Sequence, residues 1–126
     1  MIQQQSIVKV MDNSGAKTAK CIKVLGGFNK KFAKLGDIIV VSIQKLRNKS
    51  KITSKVKKGE VYKALIIRSK SSFKNKDGSN IKFQENAISL ITKQGKPVST
   101  RITGSFPKIL KVEKFIKFSS LAPGFV

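Results

Sequence analysis

The sequence predicts a mainly β fold: a small closed barrel with a β-hairpin extension, followed by two short C-terminal helices. Three observations lead there. Short runs rich in Val and Ile recur along the chain, and clusters of Gly, Asn and Asp separate them. After Gly104 the apolar spacing changes from strand-like to helix-like. Short strands with regular turns argue for a closed barrel rather than a parallel sheet.

Residues 6–11 and 18–25 read as the first two strands, joined by Asp12-Asn13-Ser14-Gly15. In 18–25, Ala19 and Cys21 share one phase while Ile22 and Val24 take the other, which predicts a bulge. Gly26-Gly27 ends this strand and Gly36-Asp37 begins the third. Within 38–46, Ile39, Val41 and Ile43 lie on one face at period two, with Ser42 and Gln44 on the other. Residues 61–69 and 86–92 supply two more strands. Asp77-Gly78 predicts a hairpin between them, with φ > 0 at the glycine. Beyond Gly104, Ser105 has N-cap chemistry and Pro107 suits a first helical turn. Phe106, Ile109 and Leu110 follow at helical spacing, and Glu113 opens a second segment, so helices are expected at 106–111 and 114–120.

Charge dominates the composition. Twenty-seven Lys and Arg stand against six Asp and Glu, giving +21 with no His to adjust it. Such an excess repels itself in a compact fold and is best tolerated against a polyanion. No long amphipathic helix carries the charge, so nucleic acid is favoured over a membrane surface. Only Arg47, Arg68 and Arg101 are Arg, so most cations act as point charges near phosphates rather than as planar forks. The chain is 40% hydrophobic, enough for a core. One domain is expected over residues 1–126, burying about two thirds of its unfolded surface. No apolar run exceeds four residues (Ile38–Val41 is one), which excludes a membrane-spanning helix. Met1-Ile-Gln-Gln-Gln has neither an apolar signal core nor an Arg-rich transit segment.

The most basic stretch is 45–58, with Lys45, Arg47, Lys49, Lys51, Lys55, Lys57 and Lys58 and no acid. It leaves one strand and returns to another. It is read as a phosphate-contacting excursion rather than only a solvated loop. A second cluster, Phe28-Asn29-Lys30-Lys31-Phe32-Ala33-Lys34, interleaves two aromatics with three Lys. There one Phe is expected to pack under the loop, with base stacking as the alternative. Lys70, Lys74 and Lys76 surround Phe73 in the hairpin. Arg101 either forks onto a phosphate or is a surface residue.

Catalysis finds no support. With no His, general acid–base work and metal ligation lose their commonest residue, and the six acids are scattered. The lone Cys21 makes no internal disulfide or thiolate metal site and reads as a buried strand residue. No Gly-rich phosphate loop is present. The chain is therefore not expected to be an enzyme, and no catalytic residue, metal or cofactor is expected. A free single-strand-binding barrel of the cold-shock type needs aromatics on adjacent strands, and most of the Phe lie off the central strands. A basic nuclease is third and suffers from the missing His.

Several segments resemble one family. Met1-Ile-Gln-Gln-Gln, Asp12-Asn13-Ser14-Gly15-Ala16, Cys21-Ile22-Lys23-Val24-Leu25-Gly26 and Gly36-Asp37-Ile38-Ile39 resemble the ribosomal protein L-fourteen family of the large subunit. So do Val56-Lys57-Lys58-Gly59-Glu60-Val61, Gly95-Lys96-Pro97, Thr100-Arg101-Ile102 with Gly104, Glu113-Lys114-Phe115 and Ser120-Leu121-Ala122-Pro123. The stretch from Ala64-Leu65-Ile66-Ile67 through Asp77-Gly78 to Phe83 and Asn86 resembles the family signature. Ser89 stands where that signature expects Val, Ile109 where an acid is common, and Gly124 in place of another acid. The long loop at 47–55 resembles mitochondrial members.

The resemblance implies a five-stranded barrel with two C-terminal helices, bound to large-subunit ribosomal RNA at the subunit interface. It implies neighbours among ribosomal proteins, L-three and L-nineteen. It also implies bridges to small-subunit RNA, docking of a ribosome-silencing factor, no membrane, and a place in the ribosome of the mitochondrial matrix, with a plastid or the bacterial cytoplasm as the alternative. The family's RNA contacts fall in the motif at 13–16 and the basic loops. The expected RNA-binding set is therefore Asn13, Ser14, Lys17, Lys30, Lys31, Lys34, Arg47, Lys49, Lys51, Lys55, Lys57, Lys58, Lys70, Lys74, Lys76 and Arg101. The C-terminal segment, about 105–121, is expected to cover the barrel and also meet a partner, with Lys114, Phe115, Lys117 and Phe118 at that interface.

Overall fold

In the computed structural model, which describes residues 2–47, 55–111 and 113–126, five strands close into a barrel. They are β1 (Ile7–Val10), β2 (Ala16–Val24), β3 (Ile38–Leu46), β4 (Val61–Arg68) and β7 (Ala87–Ile91). Consecutive strands of the set pair antiparallel. Parallel pairing of β7 with β1, Lys9 opposite Ala87 and Val10 opposite Ile88, closes the ring. Between β4 and β7 the chain makes a small hairpin, β5 (Phe73–Lys74) with β6 (Asn80–Ile81). Its turn is the expected one: Gly78 has φ 91° and donates its N–H to Asn75 O at 3.1 Å.

Period-two sequence becomes burial directly. Ile39, Val41 and Ile43 fill the barrel interior with Val8, Val10, Ala19, Cys21, Ala64, Ile66, Ile88 and Leu90. Each large aliphatic side chain buried there contributes roughly 1.5–3 kcal/mol. The expected bulge in β2 lies between Cys21 and Lys23. It lets Cys21 and Val24 both face inward, and it turns Ile22 outward, where it is 44% exposed. Burial raises the pKa of the Cys21 thiol, as expected for an inert core cysteine.

A second core lies outside the barrel wall. Leu65 and Ile67 of β4 and Ala87 and Ile91 of β7 face outward, yet they are buried beneath Ile102, Phe106, Leu110, Phe115 and Phe118. That is why 64–68 and 87–91 are apolar almost without alternation: both faces of these strands are covered.

The C-terminal segment differs from expectation in its first half. Ser105–Phe106 forms a short strand, β8, paired in parallel with Gly124–Phe125, β9. Ser105 is therefore not an N-cap. Pro107 stands at the cap with extended geometry, ahead of a single 3-10 turn at Lys108–Leu110. The second half holds a 3-10 turn at Glu113–Phe115 that runs into a helix, α1 (Ile116–Ser119). No helix of the described residues is long and apolar enough to cross a membrane.

Candidate nucleic-acid interface

The turn between β1 and β2 organises one end of the barrel. Asp12 is fully buried, and its carboxylate accepts from Ser14 N (3.1 Å), Ser14 Oγ (2.5 Å) and Leu90 N (3.1 Å). With the turn held from below, its outer backbone binds three other segments. Gly15 O accepts from Arg47 N at 3.0 Å and Ser14 O from Lys55 N at 2.9 Å, so both limbs of the basic excursion are tied to it. Asn13 clasps the third segment. Its Oδ1 accepts from Thr100 N and Arg101 N, its Nδ2 donates to Thr100 Oγ1 at 2.7 Å, and its N–H donates to Arg101 O. Lys17, Arg47, Lys55 and Arg101, far apart in sequence, thus share one surface and are all exposed. Lys17 and Arg47 line the same cleft.

The returning limb is pinned by Val56, 1% exposed in the barrel core. Lys57 and Lys58 follow in a tight turn whose acid is held within the fold. Glu60 accepts from Tyr62 Oη at 2.6 Å and Lys57 N at 3.1 Å. The Tyr62 bond, then the Lys57 backbone bond, lower the pKa of Glu60, while burial and Glu60 push Tyr62 up to about 12.

Lys31 and Lys34 are exposed on the β2–β3 loop, and Lys70, Lys74 and Lys76 at the hairpin. Lys34 and Phe73 line one groove, which brings these two clusters together. Phe73 stacks on Phe83, with centroids 6.3 Å apart. Asp77, at the hairpin tip, has a lowered pKa because it accepts from the Ser79 hydroxyl and N–H.

Acids do little to quench this field. Asp12, Asp37, Glu60, Asp77 and Glu85 each accept hydrogen bonds within the fold. The ion pairs among the described residues engage only Lys9, Lys30 and Arg68. Of the expected RNA-binding cations that are described, Lys30 alone is paired, with Asp37 at 3.0 Å.

Several expectations change. The Ser14 hydroxyl is buried on Asp12, so its part is to shape the turn rather than to touch a ligand. Lys30 bridges the two ends of its loop. Neither Phe of the second cluster packs beneath it: Phe28 is 97% exposed and Phe32 46%, and Ala33 is the buried residue, bridged to Ile2. Phe115 and Phe118 lie in the outer core, so the C-terminal surface is offered instead by Lys114, Ile116 and Lys117. Lys49 and Lys51 lie outside the described residues. Sequence reading missed the surface of Gln3, Gln4, Gln5 and Lys23 beside Phe28. Its one signal was the placing of an aromatic between Gly-Gly and Lys-Lys. No group of three or more Cys, Asp or Glu side chains is placed to hold a metal among the described residues.

A family model described as ribosomal protein L14p/L23e matches residues 1–126, from the first residue of the chain to the last.

Proposed function

Because the chain belongs to the ribosomal protein L14p/L23e family, a non-enzymatic structural constituent of the large ribosomal subunit, we propose that it binds large-subunit ribosomal RNA through the end of the barrel around Asn13. The observation that carries this reading is the tying of Arg47, Lys55 and Arg101 to one turn by backbone hydrogen bonds, with no acid exposed in that turn. A rigid barrel holds the cations at fixed spacing, and their meeting with phosphates releases counterions. Recognition is of RNA shape, since Lys point charges carry no base code. Lys31, Lys34, Lys57, Lys58, Lys70, Lys74 and Lys76 extend the contact. Lys49 and Lys51 belong to the same basic excursion by sequence.

The finer assignments rest on the resemblance. They are neighbours L-three and L-nineteen, a place at the subunit interface with bridges to small-subunit RNA, and a silencing factor as visitor. The mitochondrial matrix is proposed from the long 47–55 loop. Binding of the isolated protein to large-subunit RNA, measured against salt, tests the central reading. With Lys55, Lys57 and Lys58 changed to Gln, the log–log slope should become shallower by about 2–3, taking roughly 0.7–0.9 per phosphate contact. An unchanged slope refutes the contact.

A further inference from the structure

The β2–β3 loop presents an aromatic ring that the phosphate contacts do not explain. Phe28 is 97% exposed, while the next most exposed large apolar residue among those described, Ile7, is 68% exposed. A lone surface aromatic needs no account; this one coincides with two further features. First, the loop is braced. Lys30 pairs with Asp37 at 3.0 Å, Lys34 N donates to Asp37 at 2.7 Å, and Ile2 and Ala33 exchange backbone hydrogen bonds. The ring therefore stands out from a loop tied at its base. Second, Gln5 and Asn29, the only non-glycine residues with positive φ among those described (68° and 52°), line one basin with Phe28. Residues held in sparsely populated backbone regions gather at functional sites.

The rest of the basin is chemically specific. Gln3, Gln4 and Gln5 are exposed amides on a turn fixed by Gln5 N donating to Cys21 O at 2.7 Å and Ser6 N to Gln3 O at 3.1 Å. Lys23 and Lys31 flank it. A flat apolar face, amides that both donate and accept, and cations beside them match the face, edge and phosphate of a nucleotide. A protein partner would be offered a single exposed ring, because apart from Val24 the lining is amide, ammonium and backbone.

We propose that this basin stacks one unpaired RNA base on Phe28, with the Gln3–Gln5 amides at the base edge and Lys23 and Lys31 at the flanking phosphates. This rests on the RNA-binding reading but adds a preference for single-stranded over paired RNA. Stacking is worth about 1–3 kcal/mol per base, so Phe28→Ala should weaken binding of an unstructured single-stranded RNA about 5- to 150-fold. Duplex affinity and the salt slope should be unchanged, since no cation is removed. The chain contains no Trp, so Phe28→Trp is a site-specific probe, and its fluorescence should be quenched by the single strand and not by the duplex.

The outcomes separate. If the parent binds neither RNA, the RNA-binding reading fails and this inference with it. If the parent binds with a normal salt slope, but Phe28→Ala binds the single strand equally well or the indole of Phe28→Trp is not quenched, only the stacking site fails. A Phe28→Ala variant that binds RNA normally yet no longer sediments with the large subunit assigns the ring to a protein contact and also overturns the proposal.

Discussion

The Arg68 guanidinium lies against the Cα of Gly104, so close that a methyl group on the glycine would meet Nη2 at 2.6 Å and Nη1 at 2.8 Å. Arg68 is 7% exposed on β4, donates to Thr103 O through Nη2, and pairs through Nη1 with Glu85 at 3.1 Å. It joins the barrel wall to the segment that leads into β8 and the C-terminal cover.

Gly104→Ala should therefore lower stability by about 2–4 kcal/mol, since it combines a φ of 82° with the displacement of a buried, hydrogen-bonded charge. Gly78→Ala is the control for conformation alone. There φ is 91° but nothing lies within 4 Å of an added Cβ, and the cost should be about 1–2 kcal/mol. Urea unfolding of both variants checks this. Equal losses would mean that the approach of Arg68 is relieved without cost.

Glu85 should give the fold an acid-side pH dependence. Lys9, through a 2.9 Å hydrogen bond, and then Arg68 lower its pKa from the ordinary 4.5. A lowered folded value means that the unfolded chain binds the proton more tightly. The contribution is thus complete above about pH 4.5 and is lost as pH falls through the folded value. Glu85→Gln should be less stable than the parent near neutral pH by roughly 1–2 kcal/mol. The difference should shrink as the parent is acidified. Parallel stability–pH curves for the two proteins would remove Glu85 as the cause.

Ser89 is fully buried on the outer face of β7, and its hydroxyl has no hydrogen-bond partner among the described residues. An unpaired buried hydroxyl costs about 1–3 kcal/mol. Ser89→Ala should gain about 1 kcal/mol, or about 3–5 °C in Tm. Ser89→Val, the residue the family signature expects here, should gain at least as much if the outer core has room for one methyl beyond the one that replaces the hydroxyl. Calorimetry that shows both variants less stable would mean the hydroxyl is satisfied.

The barrel was legible because its strands obey local rules. Ile39, Val41 and Ile43 share one face at period two, with Ser42 and Gln44 on the other, and the phase change at Ile22 marked the bulge. Residues 64–68 and 87–91 gave strands but not the second core, because continuous apolar sequence does not say what covers the outer face. The 106–111 helix failed for a non-local reason. Phe106 has helical spacing to Ile109 and Leu110, yet its backbone pairs with Phe125, a contact that local periodicity does not encode. The candidate site divides in the same way. Exposed Lys clusters follow from composition. Burial of the Ser14 hydroxyl on Asp12, the Lys30–Asp37 pair and the outward Phe28 each depend on how a loop closes.

The C-terminal surface should behave as two layers. Phe115 and Phe118 are 7% and 3% exposed, with rings edge to face at 6.4 Å, while Ile116 is 62% exposed between the exposed Lys114 and Lys117. Phe118→Ala should cost about 3–5 kcal/mol by opening a cavity in the outer core. Lys117→Glu should change stability by less than about 0.5 kcal/mol. Lys114 Nζ sits 5.5 Å from the Phe115 ring centroid, so reversal there also removes a cation–π contact and is the less clean variant. If this face meets a partner at the subunit interface, Lys117→Glu and Ile116→Ala should enter large subunits normally and slow their joining to small subunits. The charge variant should lose its effect as salt rises, because an exposed charge contact is screened, and the apolar variant should keep it. Light-scattering joining assays that match the parent for both variants would show that the outer layer is simply solvated.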